Sequence, residues 1–406
     1  MARRWAFTGL LGILSVFLLV GFGSRDARAS FGMLASCIGA NDCGMGGAGI
    51  GMAKDASFGL VNPAVNALLG REFYYSPGWI VGNRHADTRG PLGNPVGEQK
   101  SQIHNFFDIA IGYNKPLGND WAVGFAMSGV GGIGDKFQQS RTTVGAAGGF
   151  DREIFYGLVH MVVPVAWTPR PGLSVGVAPV LGIARFKADS LTAAGTATAG
   201  GLKWDYAFGG GFKVGVIWDI NEHFTLGGTY NSRVWFQGFD NYRDLLSGRP
   251  VDTPANFQFG VVWHATPELD IAVDGRYIAY SHVQVIGQTP ESGGFGWHDV
   301  RALLVGAQYK MSDKLTLRLG YTLNSSPIDT KNTFANTLLP AITRNKIAIG
   351  AAYDFSEKWE ASIGLDHMWK RSQTETGGGD AVSALGAGTH LRSTFYAVRF
   401  GIRRHF

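Results

Sequence analysis

After residue 71 the chain alternates apolar with polar or small residues over many short stretches. Leu315, Leu317, Leu319, Tyr321 and Leu323 alternate with Thr316, Arg318, Gly320 and Thr322. Ile347, Ile349, Ala351, Tyr353 and Phe355 alternate with Ala348, Gly350, Ala352 and Asp354. Phe257, Phe259, Val261 and Trp263 alternate with Gln258, Gly260, Val262 and His264. A period of two predicts strands with one face in an apolar medium. A soluble sandwich would alternate in the same way, so the connections carry the distinction.

Six connections are short: 116–120, 168–172, 219–222, 266–268, 311–313 and 355–357. Between them lie longer polar or Gly-rich loops near 83–102, 138–149, 188–202, 241–252, 287–296, 326–341 and 371–390. Strict alternation of short and long connections fits the periplasmic turns and extracellular loops of an outer-membrane barrel. Six short turns and seven long loops predict about fourteen strands, an even number. Trp121, Trp167, Trp218, Phe224, Trp263, Phe355 and Trp359 flank the short turns, and Trp79, Trp204, Trp235, Trp297 and Trp369 fall near the other strand ends. Two such groups predict aromatic belts at the two membrane–water interfaces. In the last segment Tyr396, Val398, Phe400, Ile402 and Phe406 share one face, and Arg399 falls on the lumenal one. A strand ending in Phe406 is what barrel-assembly machinery would read as its terminal signal.

The two ends add an address. Arg3 and Arg4 precede an apolar run from Trp5 to Gly23, and Ala27 and Ala29 fit a cleavage site before Ser30. Residues 1–29 are therefore expected to be a signal peptide, in preference to an uncleaved anchor or to a lipoprotein read from Leu34-Ala35-Ser36-Cys37. No later stretch is apolar for about twenty residues, so no membrane helix is expected. The chain has 59 Gly, 12% aromatic and only 17% charged residues. Exported, aromatic-rich and helix-poor together give an all-β class: a transmembrane antiparallel barrel over 71–406 in a Gram-negative outer membrane. The formal charge of +5, with no basic cluster interleaved with aromatics, excludes nucleic acid as a partner.

Residues 30–70 do not read as a strand. The run Cys43 to Ser57 is rich in Gly and Ala, and Asn62-Pro63-Ala64 favours a turn start. A compact small-residue unit before a barrel is expected to be a hatch, a plug inside it, rather than a periplasmic linker. Cys37 and Cys43 lie six apart in an oxidising compartment; a disulfide and two free thiols both remain open.

The run from Gly46 to Leu68, with Asp55-Ala56 and Asn62-Pro63-Ala64, resembles the hatch of the FadL/TodX family of outer-membrane transporters of hydrophobic compounds. Thr253-Pro254-Ala255-Asn256-Phe257 resembles its Pro-bearing strand, and Leu319 to Ile328 its strand ending in a Ser-Pro pair. The resemblance spans nearly the whole chain after the signal peptide. It implies that Asp55, Asn62, Pro63 and Ala64 belong to the hatch, and that N-terminal residues, Phe31 and Leu34 here, border a hydrophobic pocket. It also implies a monomer, with outer-membrane lipid and lipopolysaccharide as partners around it and a third strand kinked to release ligand sideways into the membrane. The matching strand is 119–137, where Gly131, Gly132 and Gly134 would form the kink; the alternative is that these glycines make lumenal room for the hatch. Ile183-Ala184-Arg185-Phe186-Lys187 resembles a family segment with an inward Arg, so Arg185 is a candidate for a polar ligand head. Strict alternation with Leu181 and Ile183 would instead turn it to lipid. The loop 188–202 is shorter than in the fatty-acid members, which weighs against the capture groove built there.

Motifs that resemble catalytic ones lack their context. Gly172-Leu173-Ser174-Val175-Gly176 enters a strand from a turn, not a helix. Gly44 to Gly49 fits G-x-G-x-x-G with no βαβ unit around it. His264 and His298 are read as interfacial, and Asp270, Asp274 and Arg276 as a lumenal polar network. No cofactor, metal or enzyme activity is expected. The function expected is passage of fatty acids or aromatic or aliphatic hydrocarbons; a general diffusion porin is the alternative, and an outer-membrane hydrolase a more distant one.

Overall fold

The computed structural model describes residues 31–89, 97–137, 152–188 and 203–406. The signal peptide 1–29, its cleavage site before Ser30, the loop 138–149 and nearly all of 188–202 lie outside the described residues. Fourteen antiparallel strands form one closed wall. They are β1 Glu72–Asp87, β2 Asn105–Leu117, β3 Trp121–Phe137, β4 in two pieces Arg152–Val162 and Val165–Arg170, β5 Leu173–Ala188, β6 Asp205–Asn221 and β7 Phe224–Asn231. β8 Asn256–Thr266, β9 Leu269–Ile278, β10 Val300–Lys310, β11 Leu315–Asn324, β12 Asn345–Ser356, β13 Trp359–Thr374 and β14 His390–His405 complete it. β14 closes on β1, from Glu72 opposite His405 to Asp87 opposite His390. Two-residue pairs, Gln99–Lys100 and Trp235–Phe236, extend the rim. Pro164 divides β4 because it has no N–H to give the ladder, yet its carbonyl still accepts from Gly124 N at 2.9 Å.

The alternation sorts each strand between lipid and lumen. On β11, Leu317 is exposed while Arg318, Gly320 and Thr322 are buried. On β14, Tyr396, Phe400 and Ile402 face out, and Arg399 faces in, where Asp108 and Asp366 hold it at 3.1 and 2.7 Å. An outward Arg at mid-membrane would cost about 2–4 kcal/mol, so this register is strongly fixed. Trp121, Trp167, Trp218 and Trp263 are exposed beside the short turns, and Trp79, Trp204, Trp235 and Trp369 near the opposite ends. Trp297 corrects the expected belt. It is only 1% exposed, donates Nε1 to Asn336 Oδ1 at 2.6 Å and meets Tyr280 edge-on at 5.1 Å. The connection that carries it folds inward over the lumen, so its ring fills the interior rather than the headgroup layer.

Residues 31–70 lie inside the barrel. They form a short α-helix, α1 Gly39–Gly44, and two 3-10 turns, Ala56–Leu60 and Pro63–Leu68. No helix among the described residues is long and apolar enough to cross a membrane.

Candidate functional site

The lower part of the inner segment is built on two side-chain caps. Asp55 Oδ1 accepts from Ser57 N at 3.0 Å and starts the first 3-10 turn. Asn62 Oδ1 accepts from Ala64 N at 3.1 Å and starts the second, with Pro63 at its first position, where no N–H is needed. Asn62 Nδ2 also donates to Ile50 O at 2.9 Å, tying the turn to the Gly-rich run. Burial pushes the Asp55 carboxyl above its ordinary range, against the pull of its Ser57 hydrogen bond and Arg403. Asn41 bridges this carboxylate and Glu360 at 3.1 and 3.2 Å. On the wall, Asp274 accepts from Gly49 N and Ile50 N at 2.8 and 3.0 Å.

Glycine makes this close approach possible on both sides. A Cβ at Gly320 would lie 2.1 Å from the Met45 carbonyl carbon, one at Gly176 2.4 Å from that of Pro63, and one at Gly227 2.3 Å from Gly51 N. Gly47 has φ +88 and a virtual Cβ 2.2 Å from Ser36 O, so the run that mimics a dinucleotide motif is packing. Cys37 and Cys43 form a disulfide with Cα atoms 4.9 Å apart. Asp366 completes a cluster with the two sulfurs within 4.8 Å, but the disulfide leaves no thiolate there to ligate a metal.

Above the disulfide the N-terminal residues Phe31 to Ser36 cross the lumen and meet three cavities. An apolar cavity of about 160 Å³ lies on the loop side, lined by Met33, Tyr156, Phe186, Leu246, Ile286 and Trp297 among others. A larger one of about 520 Å³ shares Met33, Ile133 and Tyr156 with it, and is bordered by Phe31 and Leu34. A polar one of about 60 Å³ shares Leu34, Ala35 and Ser36 with the large cavity and is lined by His160, Lys213, Asn231, Asn256, Gln258 and Arg276. Lys213 donates to Asn231 Oδ1 at 2.7 Å and Arg276 to Asn256 Oδ1 at 3.4 Å, so both cations rest on amides rather than carboxylates. Arg276 Nε has no hydrogen-bond partner, and its guanidinium lies 4.9 Å from the Phe31 ring centroid.

The large cavity reaches the outer face of the wall. β2 and β3 pair only from Leu117 opposite Trp121 up to Ala110 opposite Ser128. Beyond that, Asn105 to Ile109 still pair with β1, and Gly131 to Phe137 still pair with β4 past a bulge between Gly129 and Gly131. Between them the β2–β3 ladder is missing, and outward residues such as Phe107 and Tyr206 line the cavity together with inward Ile80 and Arg399. The N-terminal segment takes the free edge of β3: Ala35 N donates to Val130 O at 2.8 Å and Gly132 N to Met33 O at 2.9 Å. Gly131 is the point of closest approach, its virtual Cβ 2.3 Å from Met33 O. Gly132 and Gly134 instead crowd β4, at Tyr156 O and Phe155. The two readings of these glycines therefore divide, Gly131 making room for the inner segment and all three flanking the missing ladder.

Arg185 faces out, which corrects the inward placement implied by resemblance. No bulge interrupts β5 against β4 or β6 there, so alternation carries it to the outer face, stacked on Phe155 and Trp204. It borders the outer mouth of the large cavity. Asp274 and Arg276 are inward, but Asp270 is separate, pairing with His264 at 2.7 Å. His298 pairs with Asp329 at 2.8 Å in an exposed loop. The cavity-lining residues of the loops, Leu246, Ile286 and Trp297, gave no signal in the sequence beyond apolarity within polar loops.

Residues 22–404 match the model of a family described as outer membrane protein transport protein (OMPP1/FadL/TodX). A 47 kDa outer membrane protein of Pasteurella multocida (strain Pm70) is 23% identical over 202 residues, 43% of this chain and 46% of that protein, so the match spans about half of its length. Among solved structures, the Pseudomonas putida toluene transporter TodX superposes with a TM-score of 0.70 at 15% identity, over 91% of this chain and 99% of that one. A Pseudomonas aeruginosa FadL homologue gives 0.68 at 14% identity, over 92% and 98%. The Ralstonia pickettii toluene transporter TbuX gives 0.65 at 15% identity, over 91% and 99%. At these identities the likeness is one of fold.

Proposed function

The chain belongs to the outer membrane protein transport protein family (OMPP1/FadL/TodX), and from that premise we propose that it carries small hydrophobic molecules, fatty acids or aromatic or aliphatic hydrocarbons, from the loop side to a lateral exit between β2 and β3. It is an outer-membrane transport protein and not an enzyme. The observation that carries the route is the cavity of about 520 Å³ that reaches the outer face where the β2–β3 ladder is missing. An apolar solute gains about 25 cal/mol for each Å² it removes from water, so a passage that delivers it sideways into lipid avoids an aqueous step. Residues 39–70 act as the plug, and Phe31 to Ser36 partition the apolar cavity on the loop side from the lateral one.

Uptake of radiolabelled oleate and toluene tests this in cells with the gene, an empty vector, or the pair Asp108→Cys with Gly129→Cys. A Cβ at Gly129 would lie 3.6 Å from Asp108 Cβ, within disulfide range, so oxidation would staple the lower lip of the opening. Gene-dependent uptake that falls on oxidation of the pair, but not of either single variant, and returns on reduction is the expected result. Uptake equal to the vector overturns the cargo, and uptake indifferent to the staple overturns the lateral route. Conductance of polar solutes by the unmodified protein would favour the porin reading.

A further inference from the structure

Most of the outer wall is apolar along its middle, but it turns basic where β13, β14, β1 and the pair Gln99–Lys100 meet. Cross-strand register sets Lys100 opposite His85, and His85 opposite Arg392. Their neighbours Arg84, Ala86, Leu391 and Ser393 are buried on the inner face, so this row is outward. β13 bulges between Met368 and Arg371, which brings exposed Lys370 to the same corner. The charges of Arg392, Lys100 and Lys370 all act on His85. Glu98 is the acid of the group, 3.0 Å from Arg392 Nη2 and 3.7 Å from His85 Nδ1. Arg392 Nη2 lies 3.1 Å from His85 Nδ1, which places a neutral imidazole as acceptor. Of the three cations only Arg392 reaches Glu98 within ion-pair distance. Like charges on adjoining strands oppose pairing, so the arrangement is complete only with an anion from outside.

The level of the patch says which anion. Tyr396, four residues below Arg392 on the same face, stacks on His367 at 4.3 Å; His367 meets Trp369, and Trp369 meets Tyr321. Such a row of rings marks the membrane–water interface. The cations lie just beyond it on the side of the long loops, at the headgroups of the outer leaflet.

We propose that Lys100, Arg392 and Lys370 dock a phosphate of a phosphorylated outer-leaflet glycolipid, whose acyl chains run down over Trp369 and Tyr396. Guanidinium and ammonium groups bind phosphate through charge-assisted hydrogen bonds, and the ring platform gives the chains an apolar seat that a free anion does not use. The site is next to β2, so a bound glycolipid stands beside the lateral opening. The inference rests on the outer-membrane location and not on the cargo, so failed oleate or toluene uptake leaves it untouched.

Binding of bisphosphorylated lipid A to the purified full-length protein is the test, read by native mass spectrometry beside dephosphorylated lipid A and inorganic phosphate. Lipid A is expected to bind at least about tenfold more tightly than its dephosphorylated form, the worth of one charge-assisted contact. The triple variant Lys100→Gln, Arg392→Gln, Lys370→Gln should lose that preference, and Arg301→Gln, an exposed cation elsewhere on the rim, should keep it. Glu98→Gln removes the competing acid and should strengthen binding, which guards against a triple variant that fails to fold. Equal binding of both lipids, or a Glu98→Gln protein that binds lipid A no better, overturns the site. Inorganic phosphate that displaces lipid A at equal concentration would make it a free-anion site and overturn the lipid assignment.

Discussion

Below the Cys37–Cys43 disulfide the barrel interior is filled to contact, with Gly44 against Gly350, Gly51 against Gly227 and Met45 against Gly320. Above it the same lumen holds cavities of about 160 and 520 Å³ around Phe31 to Ser36. The lower half spends its polar groups on itself: Lys54 on Asp42 at 2.5 Å, Arg318 on Asn41 at 2.8 Å, and Arg403 on Glu360. The upper half leaves two cations, Lys213 and Arg276, beside a cavity with amides as partners. One wall therefore supports two kinds of packing. Backbone packed on backbone, with no side chain to rearrange, suits the proposed seal; apolar side chains with gaps between them leave the room that the proposed guest needs.

The strongest challenge to that contrast is a side chain where the seal is tightest. Gly320→Val places a branched group 2.1 Å from the Met45 carbonyl, a backbone atom that cannot swing aside. Overpacking of this kind costs about 1–3 kcal/mol or more, and here the inner segment must shift off the wall. Conductance in planar bilayers, and sensitivity of cells to large antibiotics, should both rise several-fold. Gly275→Val, where nothing lies within 4 Å of the virtual Cβ, should change neither. A tight channel in Gly320→Val would mean that the lower half has slack and is no seal.

In the upper half Lys213→Met keeps the length of the side chain and removes its charge. Should the polar cavity receive an acidic head, oleate uptake should fall about tenfold, in line with loss of a charged hydrogen bond of roughly 1.5–3 kcal/mol. Toluene, which has no head, should be unaffected. An equal fall for both would mean that Lys213 holds the wall together rather than the ligand.

A smaller effect is expected at the caps. Asn62→Ala removes the acceptor for Ala64 N and the donor to Ile50 O, and an N-cap loss costs about 1 kcal/mol. Thermal unfolding in detergent should move down by a few degrees at most, with conductance still low, because the glycine contacts around the segment persist. Leakage as large as that of Gly320→Val would show that the cap, not the packing, seats the plug.

The sequence reveals these regions unequally. Strand alternation such as Leu315 to Leu323 is legible because the choice is binary, lipid or lumen, and each wrong register would put Arg318 into lipid. The six short turns and seven long connections likewise count out the fourteen strands. The Gly- and Ala-rich run is legible as packing, since small residues have few other uses in such density. Trp297 is not legible in this way, because a tryptophan near a strand end looks the same in sequence whether its loop stands in headgroups or folds inward. The missing β2–β3 ladder has a signal in Gly131, Gly132 and Gly134, but the cavity behind it draws on β1, β4, β13 and β14, whose convergence depends on closure of the whole sheet.

Arg185 gives the finest test of where the upper region ends. Resemblance pointed it inward, alternation with Leu181 and Ile183 pointed it outward, and the unbroken pairing of β5 with both neighbours decides for alternation. Its partners are the rings of Phe155 and Trp204, with 4.8 and 5.1 Å to their centroids, contacts worth about 0.5–1 kcal/mol each at an exposed site. Those contacts hold Arg185 to the outer wall and not to a ligand, so Arg185→Gln should change oleate uptake by less than about twofold. Lys213→Met in the same assay should act far more strongly. If Arg185→Gln matched it, the charge that selects the cargo would lie at the outer mouth rather than in the polar cavity, and the boundary between ligand space and lipid would have to be moved outward to Arg185.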